Sequence, residues 1–159
     1  MIRQLRHAAL TLLKISGVFT QMKDSAWRHQ RLLILCYHGV SIEDEHHWDP
    51  TLFISPGQLG LRLKVLADGD YAVLPLGEAL ERLYRKDLPP RSVALTFDDG
   101  GYDFYRQAWP LLKQYGFPAT VYLTTYYSEL QRANPLICSY MLWKARDAGP
   151  FDLKEFGIG

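Results

Sequence analysis

Long apolar runs, paired cysteines and excess charge are all missing from this chain of 159 residues. No stretch reaches the ~18 uninterrupted apolar residues that a membrane-spanning helix requires. The two cysteines, Cys36 and Cys138, stand too far apart for metal-ligand spacing, and nothing in them signals an oxidising compartment. A formal net charge of +1 argues against nucleic acid as the main partner. Histidine is scarce as well, and none follows His47. What is present suffices for one domain of ordinary size, since an apolar fraction of 48% can build a real core. The aromatic fraction of 13% suits sugar-binding faces and cores equally and decides nothing.

Acids are nearly absent from residues 1–30. Arg3, Arg6, His7, Lys14, Lys23 and Arg28 face only Asp24, while Leu5, Ala8, Ala9, Leu12, Leu13 and Ile15 recur at helical spacing. This segment reads as a basic amphipathic helix. Such a helix suits either an anionic membrane surface or packing of its apolar face on the rest of the chain. The apolar part, Ala8 to Leu13, is short, is broken by Lys14 and precedes no clean cleavage pattern. A secretory signal fits poorly, so a cytoplasmic or membrane-surface location is favoured over secretion.

From Leu32 onward, strand and helix patterns alternate. Leu32 to Tyr37 is a continuous apolar run, the pattern of a strand buried on both faces. Cys36 lies in it two residues before His38, hence on the same face, with a small buried core residue as its expected role. Ser41 to Pro50 is polar and acidic, a loop in which the adjacent His46 and His47 are poorly placed to share one metal. Ser55, Pro56 and Gln58 form the signature of a capped helix start. That helix carries Leu59, Leu61, Leu63, Val65 and Leu66. Short strands are expected at Tyr71 to Leu74, Ser92 to Phe97 and Phe117 to Thr125. Helices are expected at Gly77 to Lys86, with Ala79, Leu80, Leu83 and Tyr84 as the apolar stripe, and at Asp103 to Tyr115 despite Pro110. One more apolar helix-like segment follows Asn134-Pro135. The alternation defines an α/β class with a parallel sheet.

The strand ending at Phe97 runs into Asp98-Asp99-Gly100-Gly101. Neighbouring side chains on a regular strand point to opposite faces, but a sharp turn at the strand end can swing both carboxylates toward one pocket. Paired carboxylates repel, and a cation or a shared proton relieves them. An ordinary Asp-Gly turn explains the dipeptide alone. A phosphatase loop does not, because its two acids alternate rather than adjoin.

Thr96-Phe97-Asp98-Asp99-Gly100 resembles, letter for letter, the first signature of the polysaccharide deacetylases, carbohydrate esterases that share the NodB homology domain. Tyr37-His38-Gly39-Val40-Ser41 resembles the family's Tyr-His element at the end of its first strand. Trp48-Asp49-Pro50 with Phe53-Ile54-Ser55-Pro56 resembles the loop before its first long helix, and Pro118 to Leu123 the strand after the motif helix. The resemblance covers Leu32 to about Thr125, in the family's order. It implies an irregular (β/α) barrel with the motif on the rim at the carboxyl ends of the strands. Only about four parallel strands are visible, whereas a full barrel takes roughly 250 residues. The expected architecture is therefore an incomplete barrel, residues 31–159 forming a partial deacetylase domain after the basic segment 1–30.

The resemblance also implies chemistry. A divalent metal, often zinc, polarises an acetamide carbonyl and acidifies bound water, which titrates near about pH 7 on zinc. By position Asp98 is the general base and Asp99 a metal ligand, with His38 a candidate for lining the carbohydrate cleft or bracing the rim. The family's remaining ligands are two histidines of a His-Ser/Thr-x-x-His motif, and no histidine is available here for that role. Two functions stay open. One is the amino-terminal part of a metal-dependent deacetylase removing N-acetyl or O-acetyl groups from a carbohydrate, inactive alone. The other is a non-catalytic binding or membrane-associated module retaining half of the fold. The ending Phe156-Gly157-Ile158-Gly159, without a capping or solvating tail, favours truncation. Exposed sheet edges are expected in either case, and with them self-association.

Overall fold

The structure, a computed structural model, describes residues 2–23, 25–130 and 134–149; the terminal Phe156 to Gly159 lies outside the described residues. Helices α1 (Ile2–Ile15), α2 (Val18–Lys23) and α3 (Ala26–His29) lead into strand β1 (Leu33–Tyr37). Two short strands, β2 (Gly39–Val40) and β3 (Phe53–Ile54), flank a one-turn helix, α4 (Glu45–Trp48). Helices α5 (Pro56–Asp68) and α6 (Leu76–Arg85) precede strand β4 (Val93–Phe97). A π-helical turn (Phe104–Ala108), α7 (Trp109–Tyr115), β5 (Thr120–Val121), α8 (Thr125–Leu130) and α9 (Pro135–Lys144) follow.

Strand β4 is the centre of a three-stranded parallel sheet in the order β1-β4-β5. All five of its residues are buried, as its β-branched and apolar run requires. Strand β1 pairs with it from Leu33↔Val93 to Tyr37↔Phe97. The sheet does not close, and the α/β class with an incomplete, barrel-like parallel sheet stands as expected. The strand expected at Tyr71 to Leu74 is reduced to a single bridge, Val73↔Val93. The last strand pairs only at Thr120 and Val121; beyond it Tyr122 N–H still donates to the Phe97 carbonyl at 2.9 Å, where β4 gives way to the Asp98–Gly100 turn. A second parallel pair, β2 with β3, was not legible in the sequence. It depends on Gly39, where an added Cβ would sit 2.3 Å from the Phe53 ring.

The core joins the sheet to two helices. Tyr37, Leu95 and Phe97 from the sheet meet Leu59, Leu63 and Leu66 of α5 and Leu112 of α7. Leu59, Leu63 and Leu66 recur at i, i+4 and i+7, one face of a helix. Leu61 and Val65 point outward and are exposed. Helix α5 starts with the expected capping box: the Ser55 hydroxyl accepts from Gln58 N–H at 3.2 Å, and Gln58 Oε1 accepts from Ser55 N–H at 3.2 Å. In α6, Ala79 is buried but Tyr84 of the expected stripe is exposed. The helix expected over Asp103 to Tyr115 forms with a π-helical first part. Pro110 lacks the N–H that would close an ordinary turn, which favours that widening.

Two expectations for the first strand are corrected. Leu33, Ile34 and Cys36 are exposed rather than buried. Strand β1 is an edge of the sheet among the described residues.

Candidate functional site

The parallel register of β1 and β4 decides where the chemistry sits. Tyr37 pairs with Phe97, so His38 and Asp98 leave their strands side by side at the carboxyl end of the sheet. The ladder continues one step further, Asp98 N–H donating to the Tyr37 carbonyl at 2.8 Å. His38 Nε2 stands 3.6 Å from Asp98 Oδ2, which places His38 at the same rim as Asp98. Cys36, two residues back on the same face, donates its thiol proton to Asp98 Oδ2 at 3.3 Å. The Thr96 hydroxyl acts to lower the Cys36 pKa, but desolvation and the Asp98 carboxylate outweigh it and hold the thiol above its ordinary value. The expected core cysteine is thus an exposed member of the rim.

Asp99 does not join this group. Its φ is +68°, a left-handed conformation that costs a non-glycine residue roughly 1–2 kcal/mol. The turn closes with Gly100 N–H donating to the Asp98 carbonyl at 2.9 Å. Gly100 itself has φ +62°, and an added Cβ would meet the Leu123 side chain at 2.2 Å. The Thr124 hydroxyl donates to Asp99 Oδ1 at 2.9 Å. Adjacent in sequence, the two carboxylates therefore have separate partners: Asp98 engages β1, and Asp99 engages the segment after β5.

Beside the rim lies a cleft of about 350 Å³ whose walls include His38, Asp99, Tyr102, Glu45 and Ile137. Asp103 forms part of the wall as well and accepts from Val40 N–H at 2.8 Å. Burial pushes the Asp103 carboxyl above the usual carboxylate range, the Val40 N–H opposes this, and the nearby Glu45 charge adds to it. His46 and His47 fall in α4 rather than in an open loop. His46 Nδ1 is 2.9 Å from the Ser41 hydroxyl. Helix α9 covers the far side. Tyr140 donates to Asp44, and Lys144 Nζ lies 3.1 Å from Asp44 Oδ1 and 3.3 Å from Glu43 Oε2.

A parallel sheet with adjacent acids at its carboxyl rim makes this an α/β protein with a candidate site at the strand ends, and comparison with known proteins narrows the class. Residues 85–148 match the family model described as polysaccharide deacetylase. Over part of its length the chain matches the polysaccharide deacetylase family, and the match also spans only part of its relatives. YxkH of Bacillus subtilis (strain 168) is 34% identical over 104 residues, covering 62% of this chain and 35% of YxkH. The poly-beta-1,6-N-acetyl-D-glucosamine N-deacetylase of Staphylococcus aureus (strain MSSA476) is 36% identical over 72 residues, 45% of this chain and 25% of that protein. Among solved structures, the Streptococcus pyogenes deacetylase PplD, determined in complex with acetate, is 33% identical with a TM-score of 0.57. The match covers 64% of this chain and 46% of PplD. The chain thus spans about a third of YxkH and under half of PplD.

Family members are carbohydrate deacetylases and typically metal-dependent. The metal set implied by the resemblance is only partly provided here. Exposed Asp99 can offer an oxygen, but no histidine after His47 exists to join it. Cys36, Thr124 and Asp103 escaped the sequence reading as site residues. Only Cys36 left a signal, its i, i+2 relation to His38.

Proposed function

We propose that this chain carries the base and the first metal ligand of a deacetylase centre that removes N-acetyl, or O-acetyl, groups from a carbohydrate. The observation that carries this reading is the pairing of His38 with Asp98 at 3.6 Å on the rim of adjacent parallel strands, with the turned Asp99 beside it. Asp98 is the proton acceptor for the attacking water, its carboxylate oriented by His38. Asp99, steadied by Thr124, is a ligand for the metal, which when bound supplies Lewis acidity toward the acetyl carbonyl. The cleft between Tyr102, Glu45 and Ile137 offers an aromatic face and acceptors to a sugar ring. The name of the staphylococcal relative makes N-acetylated amino sugars the first substrates to try.

Catalytic zinc normally has three protein ligands, and the 159 residues provide one of the implied set. The chain by itself is therefore inactive as a deacetylase. Purified chain incubated with N-acetylated chito-oligosaccharides and added zinc or cobalt should release no acetate. Turnover that disappears on Asp99→Ala would overturn this.

A second reading has its own observation. In α1, Leu5, Leu10, Leu12, Leu13 and Ile15 are all exposed, alongside the basic Arg6 and Lys14. No helix among the described residues is long and apolar enough to cross a membrane. Residues 1–30 then form a surface-binding segment attached to the deacetylase half-domain. Flotation with vesicles containing anionic lipid, compared with neutral vesicles, tests it; equal recovery with both would count against it.

A further inference from the structure

The rim group of Cys36, His38 and Asp98 is suited to more than proton transfer. Its three potential donor atoms, one from each residue, all lie within 4.8 Å of one another, and no other such group occurs among the described residues. A tetrahedral zinc ion with bonds of about 2.3 Å to sulfur and about 2.0–2.1 Å to nitrogen or oxygen places neighbouring donors roughly 3.3–3.6 Å apart. Here the Cys36 Sγ to Asp98 Oδ2 distance is 3.3 Å and the His38 Nε2 to Asp98 Oδ2 distance is 3.6 Å. Two of the three edges of a ligand triangle are already at zinc-like length.

The backbone accounts for this. Cys36 on β1 and His38, one residue past its end, are two positions apart and so lie on one face. Asp98 is delivered from β4 by the parallel register and fixed by its N–H bond to Tyr37. Cys36 and His38 are both exposed, so an ion can reach them from solvent. Asp99 takes no part, its Oδ1 being engaged by Thr124.

We propose that Cys36, His38 and Asp98 form a thiolate-containing binding site for a zinc-like divalent ion, separate from the ligand set implied by the deacetylase resemblance. A donor set of sulfur, imidazole and carboxylate selects zinc or cobalt over magnesium or calcium. Binding forms one bond from each side chain to the ion and releases the thiol proton to solvent. Three protein ligands leave the fourth position to water. Occupancy engages Asp98 and withholds it from proton transfer; that consequence rests on the role proposed for Asp98, whereas binding itself does not.

Cobalt(II) titration of the purified 159-residue chain reads the site directly, because thiolate ligation gives a sulfur-to-cobalt charge-transfer band in the near ultraviolet. The expected result is saturation at one ion per chain, displacement by zinc, and protection of Cys36 from alkylation by zinc. Cys36→Ser should abolish the band. His38→Ala and Asp98→Asn should each weaken binding by about tenfold or more, with unchanged circular dichroism showing the fold intact. Asp99→Asn and Cys138→Ser should leave band and affinity alone. No charge-transfer band at saturating cobalt would overturn the site, as would a band that survives Cys36→Ser, one that is lost with Asp99→Asn, or a stoichiometry of two chains per ion. A chain that binds cobalt in this way yet remains inactive on acetylated sugars keeps this site and the deacetylase reading distinct.

Discussion

Asp98 and Asp99 share a peptide bond but not a partner, and their substitutions should separate accordingly. In a fusion to the part of PplD that the match leaves uncovered, with Cys36→Ser added to empty the thiolate site, Asp98→Asn should abolish turnover and leave metal content mostly intact. The amide keeps the shape but cannot accept a proton. Asp99→Asn should lower metal content itself, and Thr124→Val, which removes the hydrogen bond at 2.9 Å, should weaken metal affinity by about tenfold. Metal analysis beside acetate release checks the set; equal metal loss in the Asp98 and Asp99 variants would contradict the roles. At this scale the sequence was legible where a strand end and a motif coincide, as at His38 and Asp98. Thr124 and Cys36 were not, because their place in the site follows from which strands become neighbours and which stay uncovered. A pattern of apolar residues does not state that. The run Leu32 to Tyr37 reads as doubly buried and stands as an edge.

Helices α5 and α9 are secured by different means and should fail under different conditions. The Ser55–Gln58 capping box was readable from four residues, since its partners are local. Ser55→Ala should cost about 1 kcal/mol of unfolding free energy, measured by urea denaturation. Helix α9 depends instead on distant charge. The Tyr140 hydroxyl and the Lys144 ammonium, through their hydrogen bonds, hold the Asp44 carboxyl below its usual range. Burial, with the bond to Asp44, pushes Tyr140 up to about 12. A depressed carboxylate stabilises the folded form above its unfolded pKa of about 3.9, and that contribution fades as pH falls through the depressed value. A raised phenol stabilises it below its ordinary 10.0 and ceases to as pH rises through about 12. Docking of α9 should therefore hold from about pH 4 to about pH 10 and loosen on either side. Fluorescence of Trp143, stacked on Tyr140, should report both transitions, and Asp44→Asn should remove the acid one.

As a whole the molecule leaves apolar surface at both margins of its sheet. Leu33 and Ile34 on β1 are 43% and 46% exposed, and Leu123 just past β5 is 68% exposed. Open parallel edges of this kind invite pairing with another chain. Sedimentation velocity of the purified chain should show association that grows with concentration, and Ile34→Lys should shift it toward monomer. An unchanged distribution would place the contact elsewhere.

The placement of β4 between β1 and β5 also sets an order of events during synthesis. The thiol of Cys36 and the carboxylate of Asp98 are 62 positions apart in the chain, so the rim does not exist while the first half alone has emerged from the ribosome. Until then β1 waits as an unpaired apolar segment, and closing so long a loop is among the slower steps in folding. Chaperones that shelter nascent chains should engage this protein from about residue 32 and release it once β4 has docked. Arrested nascent chains ending before and after Phe97 should differ sharply in protease resistance of β1, which makes assembly of the rim a timed, all-at-once event in translation.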